Sequence, residues 1–439
     1  MAPPPFPPPS AADATRSVRD PGPDVTHAAG GTTAAPAMRV VELAASGHLG
    51  GAERVLLDSA AARLQAGDDV SVIALSAGPL GDHVERVGSR FAACPPPPSL
   101  AELGDAGRST AVAALGLARA AVPALAYVRR FRRALAAHRP DVVHSHGIKM
   151  HVLAALGSGG APVIWHLHDY VGARRLSSRL LGRLGDRVAR AIAVSRSVAD
   201  DARETLGLQV PIDVIYNAVD TDRFRPDGPV ADLDDLAGLP AAPAGTCRVG
   251  LPATFARWKG HEAFFKALGT MSGPWRAYVI GGPVYATGTS QWTDAELRQV
   301  AAAAGLEGKV GFTGFVEDMP AIYRALDIVV HASTAPEPFG LVIPEALASG
   351  RALVSTTVGG AAELYVPGEH GLAAAPRDAS SLAASLTHLM ADAGLRTRLG
   401  EAGRLHAVDR FGMGRFRREL DETFRRATAS GSVGRKDAR

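Results

Sequence analysis

Cysteine is nearly absent from this 439-residue sequence, which contains only Cys94 and Cys247. Because the two lie far apart and in no ligand-like spacing, we expect neither a disulfide framework nor a structural zinc site built on thiolates. The sequence also lacks any run approaching the ~20 uncharged apolar residues that span a bilayer. Its start, MAPPPFPPPS, lacks the basic and apolar segments of a signal peptide. These absences predict a cytoplasmic protein in a reducing environment.

Neither sign of charge is in large excess, since the formal net charge is +3. So small a value, without a basic and aromatic recognition motif, predicts that nucleic acid is not a partner. Hydrophobic residues make up 46% of the chain and charged residues 21%, which is a globular composition. The length is sufficient for two domains, each with its own core.

The two ends of the chain differ in composition from the rest. Residues 1–37 are rich in Pro and Ala with almost no large apolar side chains, so they cannot offset the entropy of ordering, and we expect a disordered tail. We expect the same of residues 430–439. Just before them, Phe416, Leu420 and Phe424 recur at helical spacing. This stripe predicts a helix over 415–429 that packs back on the first domain.

Short apolar runs alternate with helical patterns between these tails, and most are apolar on both faces, as in parallel strands covered by helices. The alternation predicts a doubly wound α/β fold with its ligand at the carboxyl ends of the strands. The Pro- and Gly-rich stretch 225–245 interrupts the series. We therefore expect two Rossmann-like domains, 38–222 and 223–414, facing each other across a cleft. The predicted strands are 39–44, 69–75, 141–145, 162–167, 191–195, 213–216, 248–253, 276–281, 309–313, 327–332 and 352–356.

The segment HASTAPEPFGLVIPEALASG, residues 331–350, carries the clearest functional pattern. If Glu337 ends the loop after a strand and Glu345 lies on the next helix, both carboxylates point into the cleft, where each can bind a pair of sugar hydroxyls. The backbone N–H groups of Phe339, Gly340 and Leu341 would then lie near the start of that helix, which suits an anion. The alternative is a surface glutamate followed by an ordinary helical one.

This spacing resembles the E-x7-E signature of the family 4 retaining glycosyltransferases, and the likeness extends over nearly all of residues 38–429. The resemblance implies a GT-B fold and a metal-independent transfer with retention of configuration, in cell-envelope or polysaccharide biosynthesis. It implies that Glu345 binds the ribose of the donor and that Glu337 is a catalytic residue on the transferred sugar. The other segments that carry it are GGAER at 50–54, DVVHSH at 141–146, HD at 168–169, AVS at 193–195, VIYNAVD at 214–220, FTGF at 312–315 and GGAAE at 359–363.

A basic turn, ATFARWKGH at residues 253–261, follows the first predicted strand of the second domain. Fixed cations there can bind the diphosphate of a nucleotide-sugar and stabilise the leaving group without a metal. Lys259 matches the phosphate lysine of the family. The family's arginine commonly sits where this chain has Thr254, so the resemblance leaves Arg257 to replace it. The alternative is a solvated basic loop at the start of a helix.

Two glycines, Gly50 and Gly51, follow the first strand and open a helix. They would let a phosphate or a hydroxyl approach the backbone on the acceptor side of the cleft. The pattern is not G-x-G-x-x-G, so a dinucleotide site is disfavoured. The alternative is a tight strand-to-helix turn.

Four histidines, His144, His146, His166 and His168, crowd two neighbouring strand ends. A metal site is one interpretation of such a cluster. The family resemblance implies an enzyme that needs no metal, so we expect none. We take His168 instead as a contact to the donor sugar and a polar catalyst.

Two stretches, 108–139 and 174–190, are rich in arginine. A basic face with an apolar stripe can rest on the anionic inner face of a membrane, where each cation adds about 1 kcal/mol. The alternative is that the apolar residues face the core and the arginines face water. The sequence leaves both open.

Taken together, these features predict a glycosyltransferase that moves a sugar from a nucleotide-sugar, such as a UDP- or GDP-sugar, to a glycan, lipid-linked or small-molecule acceptor without a cofactor. One alternative is an epimerase or a phosphorylase of the same architecture. The phosphorylase would need a pyridoxal-bearing lysine, and the second domain is poor in lysine. The other alternative is a sugar-binding protein without activity.

Overall fold

The computed structural model describes residues 37–101, 110–207, 209–284 and 290–433. The tail predicted for residues 1–37 therefore lies outside the described residues up to Pro36, and residues 434–439 do as well. The final helix extends to Val433, so the prediction of a disordered segment is wrong for residues 430–433. Ala427, less than one turn before residue 430, is fully buried, and the helix continues past this packed residue.

The N-terminal half, residues 37–222, is built on a parallel seven-stranded sheet with strand order β3-β2-β1-β4-β5-β6-β7. Its strands are β1 (Arg39–Ala44), β2 (Asp69–Ala74), β3 (Arg90–Ala93), β4 (Val142–His146), β5 (Val163–Leu167), β6 (Arg190–Ala193) and β7 (Ile212–Val214). Its helices are α1 (Gly51–Gln65), α2 (Leu80–Arg86), α3 (Pro98–Ala101), α4 (Thr110–Ala137), α5 (Ile148–Gly157), α6 (Arg175–Leu184) and α7 (Arg196–Leu206), with a 3-10 turn at Gly185–Arg187.

The C-terminal half, residues 223–433, contains a parallel six-stranded sheet with strand order β10-β9-β8-β11-β12-β13. Its strands are β8 (Cys247–Pro252), β9 (Trp275–Ile280), β10 (Val310–Gly314), β11 (Ile328–His331), β12 (Ala352–Thr356) and β13 (Leu372–Ala374). Its helices are α8 (Leu233–Leu236), α9 (His261–Gly269), α10 (Asp294–Ala303), α11 (Met319–Ala325), α12 (Val342–Ala348), α13 (Ala379–Ala391), α14 (Ala393–Phe411) and α15 (Met413–Val433), with 3-10 turns at Arg257–Lys259 and Gly360–Glu363.

The predicted fold class is confirmed by these two parallel sheets. Every strand predicted from the sequence is present, with ends shifted by at most two residues. The sequence did not predict the edge strands β3 and β13, which have four and three residues. Both are only partly buried, and runs this short show little periodicity, although the equally short β7 was predicted.

The last helix crosses back to the N-terminal half. Phe416, Leu420 and Phe424 of α15 are fully buried, and they form one cluster with residues of the first sheet that include Val142 and Ile164. Burying an apolar side chain of this size stabilises a fold by roughly 1.5–3 kcal/mol. The helix therefore covers one face of the first sheet although it follows the second sheet in the chain.

Candidate active site

Glu337 lies in the loop that follows β11, at the carboxyl end of the second sheet. The Nζ of Lys259 is 2.5 Å from its Oε1, while the Nε2 of His331 and the Oγ of Ser333 are 2.7 and 2.5 Å from its Oε2. Burial favours the neutral acid, but the charge of Lys259 and the contact with His331 outweigh it and lower the pKa of Glu337. The site therefore holds a fixed, charged carboxylate at neutral pH.

Gly340 lets the backbone close on this carboxylate. Its φ of +93° lies in the left-handed region, and a Cβ built there would be 3.4 Å from the Nε2 of His331 and 3.6 Å from the carboxyl carbon of Glu337. Only glycine adopts this conformation readily at such a close approach. The next helix, α12, begins two residues later at Val342, so Phe339, Gly340 and Leu341 form the turn that leads into it.

The glycines of the N-terminal half face this turn. Gly50 caps the start of α1, and a Cβ built on Gly51 would lie 4.0 Å from the Cδ1 of Leu341. The predicted acceptor-side glycines and the predicted donor-side turn are thus on opposite walls of one cleft. The side chain of Phe339 points away from it and packs between Tyr216 and Phe411, with ring centroids 6.2 and 6.3 Å apart.

Glu345 lies on the first turn of α12 as expected, but its carboxylate has different partners from that of Glu337. The hydroxyl of Tyr323 donates to its Oε2 at 2.8 Å. Burial raises the pKa of Glu345, and Tyr323 and Arg54 act against that rise. Because Arg54 belongs to α1, the N-terminal half contributes to the electrostatics of this second carboxylate.

The two cations of the basic turn point to different neighbours. Lys259 reaches Glu337, whereas the guanidinium of Arg257 lies 3.7 Å from the ring centroid of Trp292 and 3.4 Å from Glu296. Gly260 ends the turn with φ +82°, and a Cβ there would collide with the carbonyl of Ala332. The structure therefore brings Lys259 to the carboxylate and leaves Arg257 outside that group.

His168 follows β5 on the N-terminal wall of the cleft and is half-buried. Its Nε2 is 2.8 Å from the Nδ1 of His146, whose Nε2 is 2.9 Å from Glu42. Burial and the neighbouring imidazoles lower the pKa of His168, so it is neutral at physiological pH. Two residues on, the hydroxyl of Tyr170 donates to the backbone oxygen of Glu337 at 3.2 Å, which joins this wall to the Glu337 loop.

Sequence reasoning missed several partners of the predicted residues. His331 and Ser333 both contact Glu337, and their alternation at the end of β11 was the available signal, because alternate residues share one face of a strand. Tyr323, the partner of Glu345, and Tyr170, the partner of the Glu337 loop, gave no signal. They are distant in sequence from the carboxylates that they contact.

Two family models match this chain, one on each half. The model described as "Glycosyltransferase Family 4" matches residues 49–223, and the model described as "Glycosyl transferases group 1" matches residues 248–406. Together they cover every predicted site residue and every strand of the two sheets except β1, which precedes the first matched residue.

Curated relatives include two lipopolysaccharide core biosynthesis mannosyltransferases. LpcC of Rhizobium leguminosarum bv. viciae is 33% identical over 221 residues, or 50% of this chain and 60% of LpcC. LpsB of Rhizobium meliloti is 34% identical over 210 residues, or 47% of this chain and 57% of LpsB. The chain thus spans about 60% of the length of these relatives.

Among solved structures, HepE of Anabaena in complex with UDP-glucose superposes with a TM-score of 0.74 at 26% identity, over 88% of this chain and 99% of HepE. Sucrose-phosphate synthase of Thermosynechococcus elongatus has the same fold, with a TM-score of 0.71 at 20% identity over 89% of this chain and 99% of the synthase. Both likenesses extend across the two sheets and the cleft between them. The chain therefore belongs to the family 4 glycosyltransferases and has their GT-B fold.

Proposed function

We propose that this protein transfers a glycosyl group from a nucleoside diphosphate sugar to an acceptor hydroxyl, with retention of the anomeric configuration. The observation that carries the proposal is the buried, charged Glu337 held by Lys259, His331 and Ser333. A cation beside a fixed carboxylate suits a donor that presents both a diphosphate and sugar hydroxyls. The similarity to HepE, whose structure contains UDP-glucose, supports the same class of donor.

Each predicted residue has a role in this proposal. Lys259 binds the diphosphate and stabilises the charge that develops on the leaving group. Glu337 and the turn at Phe339, Gly340 and Leu341 position the transferred sugar. Glu345 binds the ribose hydroxyls of the donor.

The remaining roles lie at the edges of the donor site. Arg257 joins the diphosphate once it leaves Glu296, since its guanidinium is partly exposed and that contact is a weak 3.4 Å pair. His168, neutral and on the opposite wall, contacts the donor sugar. Gly50 and Gly51 receive the acceptor. The acceptor we propose is a cell-envelope saccharide of the kind that the lipopolysaccharide core enzymes LpcC and LpsB act on.

A donor screen tests the proposal. The protein is incubated with UDP-, GDP- and ADP-sugars, with and without EDTA, and the thermal midpoint and the release of nucleoside diphosphate are measured. We expect one nucleotide class to raise the midpoint, since a ligand at 100 times its Kd adds about 2.7 kcal/mol of stability. EDTA should not abolish the rise. A folded protein that responds to no nucleotide-sugar would contradict the proposal and favour a binding protein without activity.

We further propose a peripheral contact with an anionic membrane through α6. No helix in the described part of the chain is long and apolar enough to cross a bilayer. On α6, Leu176 and Leu180 are 80% and 45% exposed, beside the exposed Arg179 and Arg183. Leucines outside the core, flanked by arginines at helical spacing, favour a lipid surface over a merely solvated face.

The first arginine-rich stretch, 108–139, favours the alternative, in which the apolar residues face the core and the arginines face water. On α4 the apolar stripe of Tyr127, Phe131 and Leu135 is buried in the core. Residues 108 and 109 of that stretch lie outside the described residues. The membrane contact is therefore assigned to α6.

Liposome flotation tests the contact. The full chain should float with vesicles that contain phosphatidylglycerol, and a Leu176→Ser/Leu180→Ser variant should bind several-fold less. The matched control is Leu405→Ser, because Leu405 is also exposed but lies on α14. Equal binding by all three proteins, or no binding by any, would exclude this surface.

A further inference from the structure

A buried polar cluster lies beneath the cleft in the first sheet and has no part in the proposed reaction. It consists of Glu42 on β1, His144 and His146 on β4, and His166 on β5. Each of these side chains is at most 2% exposed. They share one face of the sheet because alternate residues of neighbouring parallel strands point the same way.

Three ring nitrogens of this cluster are unsatisfied. Both nitrogens of His166 and the Nε2 of His144 are buried without a hydrogen-bond partner among the described residues. A neutral imidazole carries one N–H donor and one lone pair, and each buried polar atom left unpaired costs about 1–3 kcal/mol. So many unpaired atoms in one cluster call for a ligand or a role that offsets this cost.

Glu42 sets the protonation of two of the imidazoles. Its Oε2 is 2.8 Å from the Nδ1 of His144 and 2.9 Å from the Nε2 of His146, and Ser59 donates to its Oε1 at 2.7 Å. A charged carboxylate only accepts hydrogen bonds, so those two nitrogens carry the protons. The other nitrogen of each ring is then a lone-pair donor. A histidine that ligates a metal commonly has this arrangement, with its second nitrogen bonded to a carboxylate.

The geometry points to a metal site, and we propose that His144, His146 and His166 bind a zinc ion, with Glu42 orienting the first two. One ring nitrogen from each histidine lies within 4.8 Å of the other two. Around tetrahedral zinc, with Zn–N distances of roughly 2.0–2.1 Å, such nitrogens are about 3.4 Å apart. Small side-chain rotations can make up the difference without movement of the strands.

The chemistry of the donors favours zinc among common cations. Three imidazoles suit zinc, whereas calcium and magnesium prefer oxygen ligands. The Glu42 carboxylate offsets part of the charge of the ion in this buried setting. The ion would replace the hydrogen bond that the Nδ1 of His146 now makes with His168 at 2.8 Å. The site borders the donor site at His168, but its three ligands have no role in the proposed glycosyl transfer, so metal binding can be tested independently of that transfer.

Metal analysis of the full, untagged chain tests the site. The protein is stripped with a chelator, incubated with Zn²⁺, desalted and analysed for zinc per chain, and Co²⁺ is used in parallel as a spectroscopic probe. We expect close to one equivalent of zinc, and with Co²⁺ the visible absorbance of a tetrahedral centre. His166→Leu should lose the bound metal, and the control His388→Ala should keep it, because His388 is exposed on α13.

Thermal stability gives a second measurement that separates the outcomes. If zinc binds, Zn²⁺ raises the midpoint of the wild type but not that of His166→Leu. If the cluster binds no metal, His166→Leu removes two unpaired buried atoms and should be at least as stable as the wild type, with or without Zn²⁺. That result, or wild-type protein without stoichiometric zinc, would overturn the proposal.

Two safeguards keep the test decisive. Should His166→Leu fail to fold, the zinc content and Co²⁺ spectrum of the wild type still decide, and His144→Gln provides a second variant. The donor screen is read independently, through the midpoint shift produced by nucleotide-sugars. A wild type that binds nucleotide but no zinc would refute only the metal site, and one that binds zinc but no nucleotide would refute only the proposed function.

Discussion

At the scale of single residues, the site depends on one carboxylate whose burial costs free energy and whose partners offset that cost. Glu337 is 6% exposed, and a charge this buried is tolerated only when it is paired and hydrogen-bonded. Lys259, His331 and Ser333 supply those partners. The same contacts fix the position of the carboxylate, so a donor would meet a group that need not reorganise.

Replacing Glu337 with glutamine should separate its charge from its shape. We expect the Glu337→Gln variant to lose about 100-fold or more of kcat, since removing one preorganised electrostatic contact commonly costs that much. The loss is measured as nucleoside diphosphate release with the donor found in the screen. The control is Glu307→Gln, an exposed glutamate in the loop before β10. Near-normal turnover in Glu337→Gln would show that the site is assigned wrongly.

The loss of stability caused by Glu337→Gln should depend on pH. The pKa of Glu337 is lowered from 4.5 on folding, so its charged contacts contribute full stability above about pH 4.5 and lose it as the pH falls further toward the folded-state pKa. Urea unfolding should show Glu337→Gln less stable than the wild type by about 1–3 kcal/mol at pH 7. This difference should shrink below pH 4.5. A difference that grew with acidity would mean that Glu337 is not held as a carboxylate.

At the scale of elements, the last helix stabilises a half of the molecule from which it is distant in sequence. Arg63 of α1 forms ion pairs with Asp68 and, at 2.8 Å, with Asp421 of α15. The apolar stripe of α15 buries Phe416, Leu420 and Phe424 against the same half. The N-terminal half therefore depends on α15 to cover one face of its sheet.

Truncating one side chain of that stripe should cost the amount expected of a core residue. Leu420→Ala should lower the free energy of unfolding by about 2–5 kcal/mol, because Leu420 is fully buried. Leu405→Ala is the matched control, since Leu405 on α14 is 74% exposed and its loss should change stability by no more than about 0.5 kcal/mol. Chemical denaturation measures both. Equal effects would mean that α15 does not pack as described.

At the scale of the whole molecule, hydrogen bonds across the cleft hold the two halves together. Glu363, in the 3-10 turn after β12, accepts hydrogen bonds from the backbone N–H groups of Arg196 and Ser197 at 2.9 and 2.8 Å. It also accepts a hydrogen bond from the hydroxyl of Tyr216 at 2.9 Å. The two N–H groups open α7, where an anion is favoured by the free donors and the helix dipole. This carboxylate of the second half therefore caps a helix of the first.

Removing this cap should open the cleft without unfolding either half. Glu363→Ala should weaken the closed arrangement by about 1–2 kcal/mol, which is a roughly 5- to 30-fold change in the ratio of closed to open forms. Small-angle scattering should give a larger radius of gyration, and the KM for the donor should rise. Glu369→Ala removes an exposed glutamate nearby in sequence and should change neither quantity. An unchanged radius in Glu363→Ala would show that these bonds do not control closure.

The sequence by itself determined the class of fold and the position of the donor motif. Parallel strands buried on both faces leave continuous apolar runs, so each strand long enough to show a pattern was predicted. Glu337, Gly340 and Lys259 lie within local motifs, where spacing along the chain carries the information. The short strands β3 and β13 were missed because their order comes from pairing with the neighbouring strands β2 and β12 and not from a pattern of their own.

Only the tertiary structure decided which groups meet. Lys259 and Glu337 are far apart in sequence, and nothing local showed that Lys259 contacts this carboxylate while Arg257 turns to Trp292 and Glu296. The burial of Glu42 among histidines from two other strands could not be predicted either, because a glutamate in a short strand is expected at an exposed position. Contacts between strands depend on the order and register of the sheet, and no single stretch of sequence records them.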